Sequence, residues 1–248
     1  MIHPEAVALV VALGGAWLAG WRALERRGSS AGRARAVAFF GGLAALTVAL
    51  NGPLHDLAER SLVTAHMTQH LLLVLVAAPC LLAGTLPVLL DRLLAPRGVR
   101  TIMAVATRPV TALGVYAATL ILWHLPGPYG LMIRSDPWHV VAHITLVAAA
   151  VLAWWPVVSP SRLLPALPPG AQILYVFVLG MPMTVVAAMI TGAEVVLYPT
   201  ASTTPIEDQR LAGILMWVPA GIVPLIAFTI VFFRWCAAEP DDGADYTK

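Results

Sequence analysis

An all-α, polytopic membrane bundle of seven transmembrane helices, N-terminus outside and C-terminus cytoplasmic, is the fold this sequence predicts. Three observations lead there. The 248 residues are 59% hydrophobic and 11% charged, with a mean hydropathy of +0.82, whereas soluble domains carry about 25% charged residues. A soluble core that apolar would leave no polar surface for water, but lipid is a matching solvent. Second, seven apolar runs, at 5–24, 36–52, 62–84, 109–125, 138–157, 171–192 and 210–233, suit a hydrocarbon layer of about 30 Å. Third, the positive charges alternate from loop to loop.

Each run has its own signature. The first follows MIHPEA, which lacks the positive flank of a cleavable signal, so it is expected to stay as an anchor. The second contains GGLAAL, a small-residue pattern that suits close helix packing. The third, HMTQHLLLVLVAAPCLLAG, is followed by TLPVLLDRLL, either a short interfacial helix or the end of the span. Pro79, Pro182, Pro219 and Pro224 fall inside spans and predict kinks whose freed carbonyls neighbouring helices must satisfy. Residues 1–237 therefore form one seven-helix domain, and 238–248 a polar, disordered cytoplasmic tail.

The loops after spans one, three, five and seven hold twelve positive residues, among them Arg22, Arg26, Arg27, Arg33, Arg35, Arg92 and Arg162. The other loops hold only Arg60, Arg134 and Arg210. Under the positive-inside rule the first set is cytoplasmic. Trp17, Trp21, Trp154, Trp155, Tyr175 and Trp235 then fall at the cytoplasmic interface, and Trp123, Tyr129, Trp138 and Tyr198 at the outer one, as aromatic belts do. A net charge of +2 is too small to imply nucleic acid. Cys80 and Cys236 are far apart without CxxC spacing, which argues against a disulfide framework or thiolate zinc site.

All seven histidines fall at the outer ends of spans: His3, His55, His66, His70, His124, His139 and His143. His66/His70 and His139/His143 are i,i+4 pairs, so each pair shares a helix face. Rings inside a bilayer need partners for their nitrogens, and several neutral imidazoles together suit copper, zinc, iron or nickel. The scarcity of acids argues against calcium or magnesium. Met67 and Met216 are candidate thioether ligands favouring Cu(I), although methionine is also an ordinary packing residue. Asp208 and Gln209 are candidates to orient the ligands or to cap the seventh helix. His3 and His55 read first as interfacial structural residues, and their membership of the site stays open.

These segments resemble a known family. HMTQHLLLVLVAAP, LWHLPGPYGLMI with PWHVVAHITLVAAAVLAWWPV, QILYVFVLGMPMTVVAAMI running to LYP, and DQRLAGILMWVPAG are similar to the bacterial CtaG family, seven-helix assembly factors for the caa-type cytochrome c oxidase. The likeness runs from about residue 40 to residue 235. It implies a multi-pass protein of the bacterial plasma membrane that matures a haem–copper oxidase, provides or handles copper for the Cu(B) centre, contacts oxidase subunits and performs no catalysis. His66, His70, His124, His139, His143, Asp208 and Gln209 match the polar signature the resemblance implies. The expected metal set is thus those five histidines with Met67 and Met216, supported by Asp208 and Gln209; copper is the expected ion, with zinc or haem not excluded. A haem b electron-transfer protein and a copper-uptake protein are the rival readings. A carboxylate-bridged diiron enzyme lacks its helix carboxylates here. The sequence does not determine whether the chain forms homo-oligomers.

Overall fold

The computed structural model describes residues 4–30, 32–59 and 62–238. His3, Arg60 and the tail from residue 239 lie outside the described residues. Thirteen α-helices follow one another along the described chain: α1 (Pro4–Glu25), α2 (Arg33–Leu50), α3 (Pro53–Glu59), α4 (Val63–Leu71), α5 (Ala78–Gly84), α6 (Pro87–Leu94), α7 (Arg97–Ala106), α8 (Pro109–His124), α9 (Pro126–Ile133), α10 (Asp136–Val158), α11 (Pro169–Leu179), α12 (Met181–Gly192) and α13 (Pro205–Ala238). The described residues form no strand.

Six stretches are long and apolar enough to cross a membrane: α1, α2, α4 through α5, α10, α11 with α12, and α13. A seventh crossing is reached only if α8, whose 16 residues reach about 24 Å, is counted together with the helix before it. That helix, α7, is bent 74° away from α8. α7 buries no residue and carries Arg97 and Arg100 beside exposed Val99, Ile102 and Val105, the composition of a helix lying in the interface plane. α6 is a separate short helix, because Thr85 turns the chain into extended backbone after Gly84.

Proline shapes the third span. Between α4 and α5 the backbone takes a π-helical course over Leu72–Ala77, a form that concentrates near functional sites. The Ala78 N–H reaches back five residues to the Leu73 carbonyl, and Pro79 has no N–H for the Val74 carbonyl in that register. The Trp154 indole N–H fills the gap, donating to the Val74 oxygen at 3.0 Å. The kink expected at Pro79 is thus a change of helical register. At Pro182 the sixth span breaks between α11 and α12, whereas α13 stays continuous through Pro219 and Pro224.

The third and fifth spans form the centre, with 61% and 56% of their apolar windows buried against 17% for the first. Both histidine pairs therefore sit on the two central helices. α4 packs on α13, α5 on α2, and α10 on α8 and α5. Gly42 permits the α2–α5 approach, since a Cβ there would stand 2.8 Å from the Leu81 amide nitrogen. Gly84 does the same for the Phe39 backbone, so GGLAAL packs as its small residues suggest.

The aromatic-belt expectation needs correction. Trp17, Trp123, Trp154, Trp155, Tyr129, Tyr175 and Tyr198 are buried inside the bundle, while Trp138 and Trp235 remain exposed. The physical reason is visible in their polar atoms. Trp17 donates to Gly84 O at 2.9 Å, Trp155 to Leu164 O at 2.9 Å and Tyr175 to Ala153 O at 2.8 Å, so each buries a large ring without orphaning its handle.

Candidate metal centre

At one end of the bundle α3, α9 and the loop 193–204 fold over the tips of α4, α8 and α10. Gly52, at φ 75°, occupies the left-handed region that turns the chain from α2 into α3. His66 and His139 each lie three residues inside their helix and His70 and His143 seven, depths of roughly 5 and 10 Å. His124 is the last residue of α8, yet it is fully buried beneath the fold-over.

Five rings from three helices meet there. Centroids are 4.3 Å apart for His66–His70, 4.5 Å for His139–His143, 5.3 Å for His70–His143, and 5.4 Å for both His66–His139 and His70–His124. His66, His70 and His143 each offer a nitrogen, and the three atoms all lie within 4.8 Å of one another. An ion at about 2.0–2.1 Å from each would hold them roughly 3.5 Å apart, so small ring rotations close the set.

What marks this cluster is the absence of partners. Both ring nitrogens of His66 and of His70, and Nε2 of His124, His139 and His143, are buried without a hydrogen bond. A buried polar atom left alone costs about 1–3 kcal/mol, and seven in one place are not a packing accident. His124 shows the preparation. Its Nδ1 donates to Leu120 O at 2.7 Å, which leaves the Nε2 lone pair available. The donor set is all nitrogen, so it fits a transition-metal ion and not an oxygen-seeking one.

His55 behaves differently. The Gln69 side-chain amide donates to Ala49 O at 2.9 Å and to His55 Nδ1 at 2.9 Å, which places the His55 proton on Nε2, 3.1 Å from the Glu59 carboxylate. Its ring stacks on His139 at 6.4 Å, but both nitrogens are engaged. Met67 lies about 100° round α4 from His66 and joins Val63, Leu71, Val74 and Met216 in the main apolar cluster.

Asp208 and Gln209 act through backbone. Leu62, at the N-cap of α4, has no side-chain oxygen, and Asp208 from α13 supplies both: its carboxylate accepts from the Val63 and Thr64 amides at 3.0 and 3.2 Å. The Thr64 hydroxyl also donates to it. Asp208 sits in the first turn of α13, but its carboxylate caps the helix that carries His66 and His70. Gln209 accepts from the Leu197 amide at 2.7 Å and donates to Val195 O at 3.2 Å, which pins the loop bearing Tyr198. The Tyr198 hydroxyl then donates to His124 O at 2.6 Å.

Gln69, Tyr129 and Tyr198 belong to this site although sequence reasoning passed over the first and placed the other two in a belt. Tyr129 packs 5.4 Å from His66 and 4.2 Å from Tyr198, and its hydroxyl is buried without a partner. Burial pushes both phenols above their ordinary range, so they stay protonated. A glutamine inside an apolar span was the available signal for Gln69.

The family model described as cytochrome c oxidase caa3 assembly factor (Caa3_CtaG) matches residues 15–238, a stretch that holds every residue of this centre. No curated protein and no solved structure matches the chain.

Proposed function

We propose, from the premise that this chain belongs to the cytochrome c oxidase caa3 assembly factor family, that it holds copper in the histidine cluster and hands it to an oxidase subunit for the Cu(B) centre. The observation that carries the reading is the set of seven unpartnered ring nitrogens contributed by three helices. His66, His70 and His143 are the primary ligands, because their nitrogens are mutually closest. His139 and His124 lie at the two edges of that trio and allow exchange one ligand at a time, which a donor needs. An all-imidazole set suits copper and zinc alike; the family's oxidase role favours copper. The arginine distribution supports placing this end on the extracytoplasmic face of a bacterial plasma membrane, within reach of an oxidase subunit.

No catalytic residue is assigned. A haem b reading fits less well: two axial imidazoles suffice for haem iron, whereas five rings crowd this space with neighbouring centroids 4.3 to 6.1 Å apart, so other rings fill the place a porphyrin plane would need. Copper uptake calls for a polar path along the bundle, and toward the far end Trp154 and Tyr175 spend their polar atoms on backbone carbonyls.

Metal analysis of the purified full-length protein under reducing conditions tests the proposal. Roughly one copper per chain is expected for an all-imidazole site, with none in a His66→Ala/His70→Ala variant. Wild-type protein that takes up no copper, or that shows a haem Soret band, would overturn it.

A further inference from the structure

The end of the bundle opposite the histidines holds a cavity of about 670 Å³, open to its surroundings. Its polar wall comes from four separate places in the chain: Arg27 with Ser29 and Ser30 after α1, Arg35 on α2, Arg92 on α6, and Arg162 after α10. Such convergence is not required to orient a membrane protein, for which arginines scattered through the loops suffice.

The charges in this cavity are not balanced. Asp91 is the single acid lining it, and its carboxylate is committed to the Ser161 hydroxyl at 2.6 Å and the Arg162 amide at 3.2 Å. Among the described residues none of the four guanidinium groups has a carboxylate within ion-pair distance. Arg35 donates instead to the Ala83 carbonyl at 3.3 Å. Guanidinium groups facing one space, with hydroxyls beside them, match the geometry of a phosphate group.

A second feature selects the kind of phosphate. Beside the cavity runs a tightly closed seam between α1 and α6 that shares Leu24, Arg27, Val88 and Arg92 and adds Gly20, Ala23 and Leu89, with a Cβ at Gly20 standing only 2.7 Å from Leu89 Cδ1. α1 is peripheral, with Val11 and Leu18 exposed along it, so this seam borders the region that lipid occupies. A basic chamber beside an apolar, lipid-facing helix complements a phosphodiester carried on acyl chains. We infer that this chamber is a binding site for an anionic phospholipid, with the headgroup phosphate held by Arg27, Arg35, Arg92 and Arg162 and its acyl chains in the surrounding bilayer against the exposed face of α1. The site is independent of the histidine cluster.

Native mass spectrometry and thermal melting of the full-length protein test this. The protein is exchanged into nanodiscs or detergent micelles containing phosphatidylglycerol or phosphatidylcholine, with inorganic phosphate as a third arm. Phosphatidylglycerol is expected to remain bound and raise the melting temperature, while phosphatidylcholine and free phosphate do neither. An Arg27→Gln/Arg92→Gln variant is expected to lose about tenfold in affinity, equivalent to about 1.4 kcal/mol. An Arg100→Gln/Arg108→Gln variant, altered outside the chamber on the same side, is expected to keep it. Equal retention of both lipids by wild-type protein overturns the inference even if the variants fail to fold. Stabilisation by inorganic phosphate alone, or equal losses in the two variants, overturns it as well.

Discussion

α10 presents two buried polar regions that differ in one respect. At its start, His139 and His143 face His66 and His70 across the α4–α10 contact, and their Nε2 atoms have no partner. Eleven residues beyond His143, about 16 Å further along, Trp154 meets the same neighbouring span and donates to Val74 O at 3.0 Å. Trp154 and His70 are equally hidden, at 3% and 2% exposure, so burial does not separate the regions. Satisfaction does. At Trp154 the buried handle finds a carbonyl; at the histidines seven ring nitrogens wait in one place, a cost that the proposed metal ion would offset.

The largest effect that would break this comparison comes from His66→Leu/His70→Leu. Copper binding is expected to vanish, while the metal-free protein melts at the same or a higher temperature, because orphaned nitrogens are removed. A competition titration with a Cu(I) chelator, run beside a melt, reads both; lower stability with intact copper binding would reverse the assignment of the two regions. Trp154→Phe should do the opposite. It leaves Val74 O buried and alone, at a cost of about 1–3 kcal/mol, and a chemical denaturation curve should record that loss with copper affinity unchanged.

Asp208→Ala sharpens the comparison by touching the histidines only through their helix. Uncapping α4 is expected to cost about 1 kcal/mol in stability. Copper affinity should fall too, because the His66/His70 face loses its fixed start, and Asp208→Asn should recover part of both. Glu59→Gln is the mildest test. Glu59 is partly exposed and touches His55, whose nitrogens are already engaged, so a change under about 1 kcal/mol is expected; isothermal titration with copper checks it, and a loss as large as that of the His66/His70 variant would bring His55 into the ligand set.

Much of this was legible in the chain, and the rest was not, for definable reasons. The i,i+4 spacing of His66/His70 and His139/His143 shows that each pair shares a face, and the loop charges suggest that the faces lie at one end. Neither could show that Met67 packs with Val63, Val74 and Met216 while Gln69 bonds His55, since both depend on which neighbour packs on which side of α4. The belt reading of Trp154 and Tyr175 failed because position along a span gives depth but not direction. A tryptophan near a helix end serves lipid or a buried carbonyl equally well until the neighbouring helix is placed.

Composition and periodicity alone determined that the chain crosses a membrane several times and places an i,i+4 imidazole pair near the start of the third and of the fifth span. Those are local properties, set by hydrophobic length and by the 3.6-residue turn. Tertiary structure decided the rest: that Tyr198 of the loop before α13 holds His124 by its backbone, that Asp208 of α13 caps α4, and that Trp154 repairs the carbonyl left by Pro79. Each is a pairing of groups distant in sequence, and such pairings follow only from how helices with bare Gly42 and Gly84 surfaces come together.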